Sequence, residues 1–421
     1  MPLIQRGRRD AAAVPVYLLL AGGSAGLFAL VSTLNLVYQA TVVGLSPLEL
    51  VLVGTVLEAV VFVAEIPTGV VADIYSRRLS ILIGLVLVGS GWVLEGSVPR
   101  FLAVLAAQVL WGVGFTFTSG ATEAWIADEV GDDDEVARVF IRGTKAGQAG
   151  TIGGILVAGG LGLVWIRLPI IAGGVGFLVL AGVLMLIMPE RNFRPVRDAD
   201  RAGFGQLTDQ VRAGVALARR RRLVRTLMLI SLVSGLASEA FDRLWTVHLL
   251  NSFHFPSVFG VSNEIVWFTA IGLVGTVLSL VTAAVVTRVS PRTLTALHPR
   301  GLMAGLAAVQ VLTAAVFAVA GQFGVALAML WLRAVAGVLA GPVSSAWMNR
   351  QLEPGVRATV LSIESQLNAV GQVAGGPVLG WVGSAVSVRV ALLASAATLS
   401  PVIGLYTRAK SEMPVSEPNA P

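Results

Sequence analysis

Apolar runs long enough to cross a bilayer recur along the whole of this chain, and that recurrence constrains its fold more than any other feature. A helix rises 1.5 Å per residue, so the roughly 30 Å hydrocarbon core needs about 20 apolar residues. Twelve such runs are predicted, at roughly 16–40, 48–72, 79–97, 101–124, 139–163, 167–188, 225–250, 258–288, 301–320, 323–348, 358–384 and 387–407. With no water to satisfy the backbone in lipid, runs of this length become helices. Only 13% of the residues are charged, about half the share usual in soluble domains. Most of the surface therefore faces lipid. The 47 glycines suit helices that approach closely in a bilayer. The first run follows Arg6, Arg8 and Arg9 but is too long for a signal-peptide core, and we read it as retained.

The charges fall in the short segments between the runs. With the N-terminus placed in the cytoplasm, 25 of the 30 Lys and Arg lie on cytoplasmic segments. Arg100, Arg167 and Arg389 lie outside, and Arg243 and Arg333 lie within runs. A bias of this kind sets topology. It predicts both termini in the cytoplasm. The net charge of +6 is thus a membrane pattern, and a basic groove interleaved with stacking aromatics, as nucleic acid would require, is missing. The chain has no Cys, and its three His are scattered, so neither disulfides nor metal-ligand spacing is present. No phosphate-binding G-x-x-x-x-G-K-[ST] motif occurs. No cofactor is expected.

The longest interruption, 189–224, divides the runs into two groups of six. The expected organisation is a cytoplasmic segment 1–15, a helical bundle 16–188, a cytoplasmic loop 189–224, a second bundle 225–407 and a cytoplasmic tail 408–421. Within the loop, Phe204, Leu207, Val211 and Val215 recur at spacings of three and four. Either a short amphipathic helix on the inner leaflet or a solvated linker accounts for this segment. The tail from Ser411 reads as disordered. The halves repeat faintly. Gln108-x-x-x-Gly112 corresponds to Arg333-x-x-x-Gly337, each followed by Ala-Trp, and Arg138/Lys145 correspond to Arg357/Glu364. Paired six-helix repeats are a transporter architecture whose site lies near mid-membrane.

Charged groups inside the runs are the candidates for chemistry, because each costs several kcal/mol unless paired, protonated or facing water. Glu58 and Glu65 are seven residues apart, on nearly one face and about 10 Å apart along the axis. They suit reversible proton binding or substrate contact; a hydrogen bond to a neighbouring helix is the alternative. Ser238 to Trp245 is the densest polar cluster in any run. Glu239 and Arg243, four apart, can pair, while Asp242 and Trp245 share a second face. Arg333 has no acid near it in sequence, so its partner must come from another helix, with Glu364 or Glu239 as candidates. The run Asp132–Glu135 reads as a solvated loop and helix N-terminus.

The stretch Gly69–Arg78, G-V-V-A-D-I-Y-S-R-R, closes the second run. Gly69 and Asp73 lie on one helix face, and Arg77 and Arg78 hold the following turn at the membrane surface. This stretch resembles the loop signature of the major facilitator superfamily of secondary transporters. Ile74 and Ser76 stand where that signature has a basic residue and a second Gly. Together with Trp111-Gly112-x-Gly114, Glu239–Trp245 and Arg357–Ser362, it makes residues 16 to 407 similar to the twelve-helix bacterial drug-efflux branches. The resemblance implies an all-α membrane protein of two pseudo-symmetric six-helix bundles that works by alternating access. It implies export of small amphipathic organic compounds in exchange for protons. It also implies a cytoplasmic gate built from Gly69, Asp73, Arg77, Arg78, Glu123 and Arg357, with Asp73 latching near Arg357 and Glu123 pairing with Arg77, Arg78 or Arg142. Substrate and proton coupling would fall to Glu58, Glu65, Glu239, Asp242, Arg243, Arg333 and Glu364. Gln108 stands where proton-coupled antiporters of the family often carry Arg, which moves attention to the second half. A multi-pass protein of the bacterial cytoplasmic membrane, working as a monomer, is expected. A transporter of a defined, anionic metabolite and a non-transporting sensor or lipid-moving protein are the competing readings. No nucleophile–base arrangement points to an enzyme.

Overall fold

The structure is a computed structural model that describes residues 2–195, 216, 219, 221–257, 263–288, 299–351 and 354–409. The amphipathic pattern at 204–215 and the tail from Ser411 lie outside the described residues. The described elements are helices: α1 (Pro2–Tyr38), α2 (Pro47–Ile74), α3 (Arg77–Ser97), α4 (Phe101–Thr118), α5 (Ala121–Val130), α6 (Asp133–Val164) and α7 (Leu168–Ile187). They continue with α8 (Arg222–Ser252), α9 (Glu264–Arg288), α10 (Pro299–Val319), α11 (Phe323–Gln351), α12 (Pro354–Ala385), α13 (Val388–Leu399) and α14 (Pro401–Arg408). A five-residue π turn, Gln39–Val43, extends α1 and ends at Gly44, whose φ of 73° suits only a residue without a side chain.

Local chemistry sets the helix ends. Ser46 and Glu49 form a reciprocal capping box at the start of α2, where the Ser46 amide donates to Glu49 Oε2 at 2.8 Å. Asp132 accepts from the Glu135 amide at 2.9 Å and opens α6, so the acidic run begins a helix six residues ahead of the predicted span. The fourth predicted span is two helices, because Gly120 adopts a φ of 72° and breaks the chain between α4 and α5. The last span divides at Ser400–Pro401 into α13 and α14. α2 runs unbroken through Pro67.

Eleven stretches among the described residues are long and apolar enough to cross a membrane. The remaining predicted span, 358–384, lies in α12, which has 32 residues but is interrupted by Glu364, Gln366, Asn368 and Gln372. Large apolar side chains point outward; Leu186 is 85% exposed. In water such a skin would aggregate, whereas lipid accepts it.

The residues fall into two compact units, one of Met1–Gln206 with Phe255–Leu273, the other of Leu207–His254 with Val274–Pro421. In the first, α1 lies along α6 through small residues; a Cβ at Gly26 would stand 3.1 Å from the Gly150 carbonyl oxygen. α3 packs on α4 and α7, and Trp92, Trp111 and Phe28 form an aromatic tier with ring centroids 5.1 and 5.8 Å apart. In the second, α8 packs on α12 and α13, and Ser395 Oγ donates to the Ala237 carbonyl at 2.7 Å.

Candidate functional site

α8 carries the polar cluster at helical period. Ser234, Ser238 and Asp242 are four apart, which stacks them on one face. All three line a cavity of about 260 Å³ in the second unit, with Gln310 from α10, Arg333 from α11 and Asn368 and Gln372 from α12. Sequence reading set Asp242 beside Trp245; the cavity groups it with the two serines one and two turns earlier. Glu239 and Arg243 form the expected pair on the adjoining face, Arg243 Nε donating to Glu239 Oε1 at 2.9 Å. Glu239 is 3% exposed, so its charge is held by a partner within the unit.

Arg333 departs from expectation. Its guanidinium donates to the Gln310 carbonyl at 3.0 Å and lies 4.1 Å from the centroid of the Phe241 ring, a cation–π contact. The carboxylate whose charge bears on it is Asp242, with Glu239 held by Arg243. Glu364 lies on α12 one turn before Asn368, half-buried, where its charge bears on the Tyr406 phenol rather than on Arg333. The α12 face is ordered by its own side chains. Gln372 Nε2 donates to Asn368 Oδ1 at 2.8 Å, and Asn368 Nδ2 donates to the Ser231 carbonyl at 3.2 Å. The cavity thus presents one carboxylate, one guanidinium, three amides and two hydroxyls, a set suited to a small polar or zwitterionic group.

Sequence reading overlooked Ser234, Gln310, Asn368 and Gln372. For Ser234, Asn368 and Gln372 the signal was a spacing of four, Ser234–Ser238–Asp242 and Asn368–Gln372, inside otherwise apolar runs, whereas Gln310 had no such partner.

The first unit holds the remaining candidates. Glu58 is half-buried and Glu65 exposed on α2. At the turn between α2 and α3, Arg77 Nη1 donates to the Ala124 carbonyl at 2.6 Å and pairs with Asp128 of α5. This corrects the expected pairing with Glu123, which is exposed on the same helix while Asp128 takes the guanidinium. Arg78 donates from Nη2 to the Met185 carbonyl and from its amide to Glu190 Oε1 at 2.9 Å. Ser76 Oγ donates to Glu190 Oε2 at 2.6 Å. Glu190 therefore sits at the N-terminus of α3, where a negative charge is stabilised. Glu129 Oε1 accepts the amides of Arg191 and Asn192 at 2.7 and 3.0 Å, and Trp125 Nε1 donates to the Pro189 carbonyl. The chain leaving α7 is thereby fastened to α5. Asp73 is exposed, and among the described residues no atom lies within 4 Å of the position a Cβ would take at Gly69. The Arg357 side chain lies outside the described residues.

Known proteins share this sequence pattern and this fold. The chain is 20% identical over 365 residues to an uncharacterized MFS-type transporter, YxaM, of Bacillus subtilis (strain 168), covering 86% of this chain and 87% of that protein. Its fold is similar to the crystal structure of the nucleoside transporter NupG, with a TM-score of 0.73 at 15% identity over 94% of this chain and 98% of that one. It is also similar to a bacterial homologue of the human lysosomal transporter Spinster in an inward-facing, occupied conformation (TM-score 0.69, 14% identity, 96% of each chain). The profile of the Major Facilitator Superfamily matches residues 16–309. An all-helical membrane fold with charged groups set inside its spans, together with that match over more than half its length, makes this chain a member of the Major Facilitator Superfamily of transporters.

Proposed function

We propose that the chain is a secondary active transporter that exports small amphipathic organic compounds by alternating access, driven by inward proton flow. The carrying observation is the cavity around Asp242 and Arg333, a mixed-charge polar site inside spans that are otherwise apolar. At about 260 Å³ it falls just below the usual range for whole-ligand pockets. It suits the polar end of a larger, amphipathic molecule. The charge pattern supports a bacterial cytoplasmic membrane with both termini inside. The tied Arg77 and Arg78 support a gate at that face, with Gly69, Asp73, Glu123 and Arg357 as its remaining members. We assign the halves 16–188 and 225–407 to the two moving bodies and the monomer to the working form.

A second reading is a transporter of one small polar metabolite. The five neutral hydrogen-bonding side chains of the cavity favour it, and the solutes named for NupG, nucleosides, are of that chemistry. Proteoliposomes with an imposed proton gradient separate the two. Gradient-driven movement of ethidium, reduced at least about tenfold by Asp242→Asn, supports export of amphipathic compounds. Saturable flux of uridine or a dipeptide with no movement of ethidium replaces that reading with the second. Flux of neither kind sinks both.

A further inference from the structure

Glu95, near the end of α3, is fully buried, and its carboxylate is held by two amides. Gln39 Nε2 donates to Oε1 at 2.7 Å and Gln108 Nε2 donates to Oε2 at 3.0 Å. The Tyr38 hydroxyl donates to the Glu95 main-chain carbonyl at 2.7 Å. Tyr38, Gln39 and Gln108 are each at most 1% exposed. Gln39 opens the π turn, and Gln108 comes from α4, which α3 meets closely at Gly91, where a Cβ would stand 2.9 Å from the Ala107 carbonyl oxygen. Short π segments recur at functional sites.

The informative feature is what the amides leave over. Gln39 Oε1 and Gln108 Oε1 are both buried with no hydrogen-bond partner. A buried acceptor left without a partner is destabilising. An ionised carboxylate only accepts hydrogen bonds, whereas a protonated one also donates. Turning either amide about its terminal torsion exchanges its nitrogen and oxygen in place. The orphaned oxygen then becomes the acceptor that a Glu95 O–H requires. The same heavy atoms thus serve a charged and a neutral glutamate without moving the helices.

We propose that Glu95, Gln39 and Gln108 form a proton-binding site in the first unit. One proton adds to a Glu95 carboxylate oxygen, cancels its charge and is received by a turned glutamine oxygen; its departure reverses these steps. This deepens the proton-coupled reading above by naming where the proton sits. Charged and titratable groups around the cluster include Tyr38, whose phenol feels both Glu95 and Arg167, and Arg167 itself, from the turn before α7. The same end of the unit carries Arg100 at the start of α4 and Glu49, which is held in its capping box on α2.

pH-difference infrared spectra of the purified full chain, with no transport solute present, test the site. Lowering the pH should raise a carboxylic-acid C=O band that is lost in Glu95→Gln and kept in Glu95→Asp. Gln39→Leu and Gln108→Leu retain the carboxyl and should move the midpoint of that band. An unchanged difference spectrum in Glu95→Gln, or unmoved midpoints in both glutamine variants, overturns the proposal. So does a wild-type protein whose thermal midpoint is raised by sodium ions in a Glu95-dependent way while no carboxyl band titrates, since the site would then hold a metal cation. If Glu95 titrates while ethidium flux ignores the proton gradient, the site stands and the coupled reading falls.

Discussion

Replacing Gly89 by Ala should destabilise the protein, although the same change elsewhere in the pair of helices it belongs to should stabilise it. α3 and α7 cross at Gly89 and Gly174. A Cβ at Gly89 would stand 2.7 Å from the Gly174 carbonyl oxygen, and one at Gly174 would stand 2.7 Å from the Val93 nitrogen. Ordinary contact begins at 3.4 Å, so the helices must part by about 0.7 Å. A gap of that size forfeits roughly a quarter to a half of each dispersion contact of about 0.1–0.2 kcal/mol. Over the ~40 atom pairs of one well-packed side chain the loss is about 1–4 kcal/mol, overlapping the roughly 1–3 kcal/mol typical of overpacked cores. Alanine's better helix propensity returns roughly 0.5–1 kcal/mol. The net expectation is a loss centred on about 2 kcal/mol and at most about 3.5 kcal/mol. Gly182, on the same α7, is exposed with no atom within 4 Å of its virtual Cβ among the described residues. Gly182→Ala should keep the propensity gain alone. Equilibrium unfolding in mixed micelles, read by tryptophan fluorescence, measures both. Gly89→Ala together with Gly174→Ala should cost less than the two single losses combined, because one separation accommodates both methyls. Equal effects of Gly89→Ala and Gly182→Ala would falsify the close crossing.

Other tests address the ends of the first unit and the cavity. Arg77→Gln should cost about 1–3 kcal/mol by stranding Asp128, and adding Asp128→Asn should recover part of it in the same unfolding assay. Glu129→Ala frees the amides of Arg191 and Asn192, so limited trypsin digestion should cut at Arg191 several-fold faster; an unchanged rate would mean that this clasp does not restrain the chain. Ser46→Ala removes one half of the capping box and should lower stability by about 1 kcal/mol, whereas Ser46→Asp should retain most of it. Arg333→Lys keeps the charge but loses the flat guanidinium over Phe241, and gradient-driven flux should fall to a level between those of wild type and Arg333→Gln.

Much of the fold was legible because lipid leaves few choices. Run lengths and the arginine pattern point to a helical membrane protein regardless of how the helices pack. The exceptions are local. Nothing in an apolar run marks Gly120 as a break rather than a packing residue until its φ is known, since glycine serves both ends. α12 reads as a span at 358–384, but Glu364, Gln366, Asn368 and Gln372 lower its hydropathy, and Asn368 and Gln372 line the cavity. At the site, Glu239–Arg243 was readable because both partners lie on one helix four residues apart. Arg333 was not, because its partners are a carbonyl on α10 and a ring on α8, and a carbonyl carries no signal in sequence. Asp128 and Glu123 lie five residues apart on α5, so which of them meets Arg77 depends on the rotation of a ten-residue helix set by the Gly120 break. Glu95 sits among apolar residues at the end of a run, where a lone acid reads as an interfacial group, and its two glutamines lie 56 and 13 positions away.

The ties at Arg77 and Arg78 bear on biogenesis. On the proposed orientation, while the nascent chain enters the bilayer, Asp128, Met185 and Glu190 are still to be synthesised or placed, so both arginines would act as bare positive charges that resist translocation. Once folding is complete, the same guanidiniums are committed to α5 and α7. On that orientation two side chains would serve consecutive stages, first as topological signals and then as fasteners. Lysine substitutions should preserve insertion while loosening the folded end, so mistopology and instability can be assigned separately.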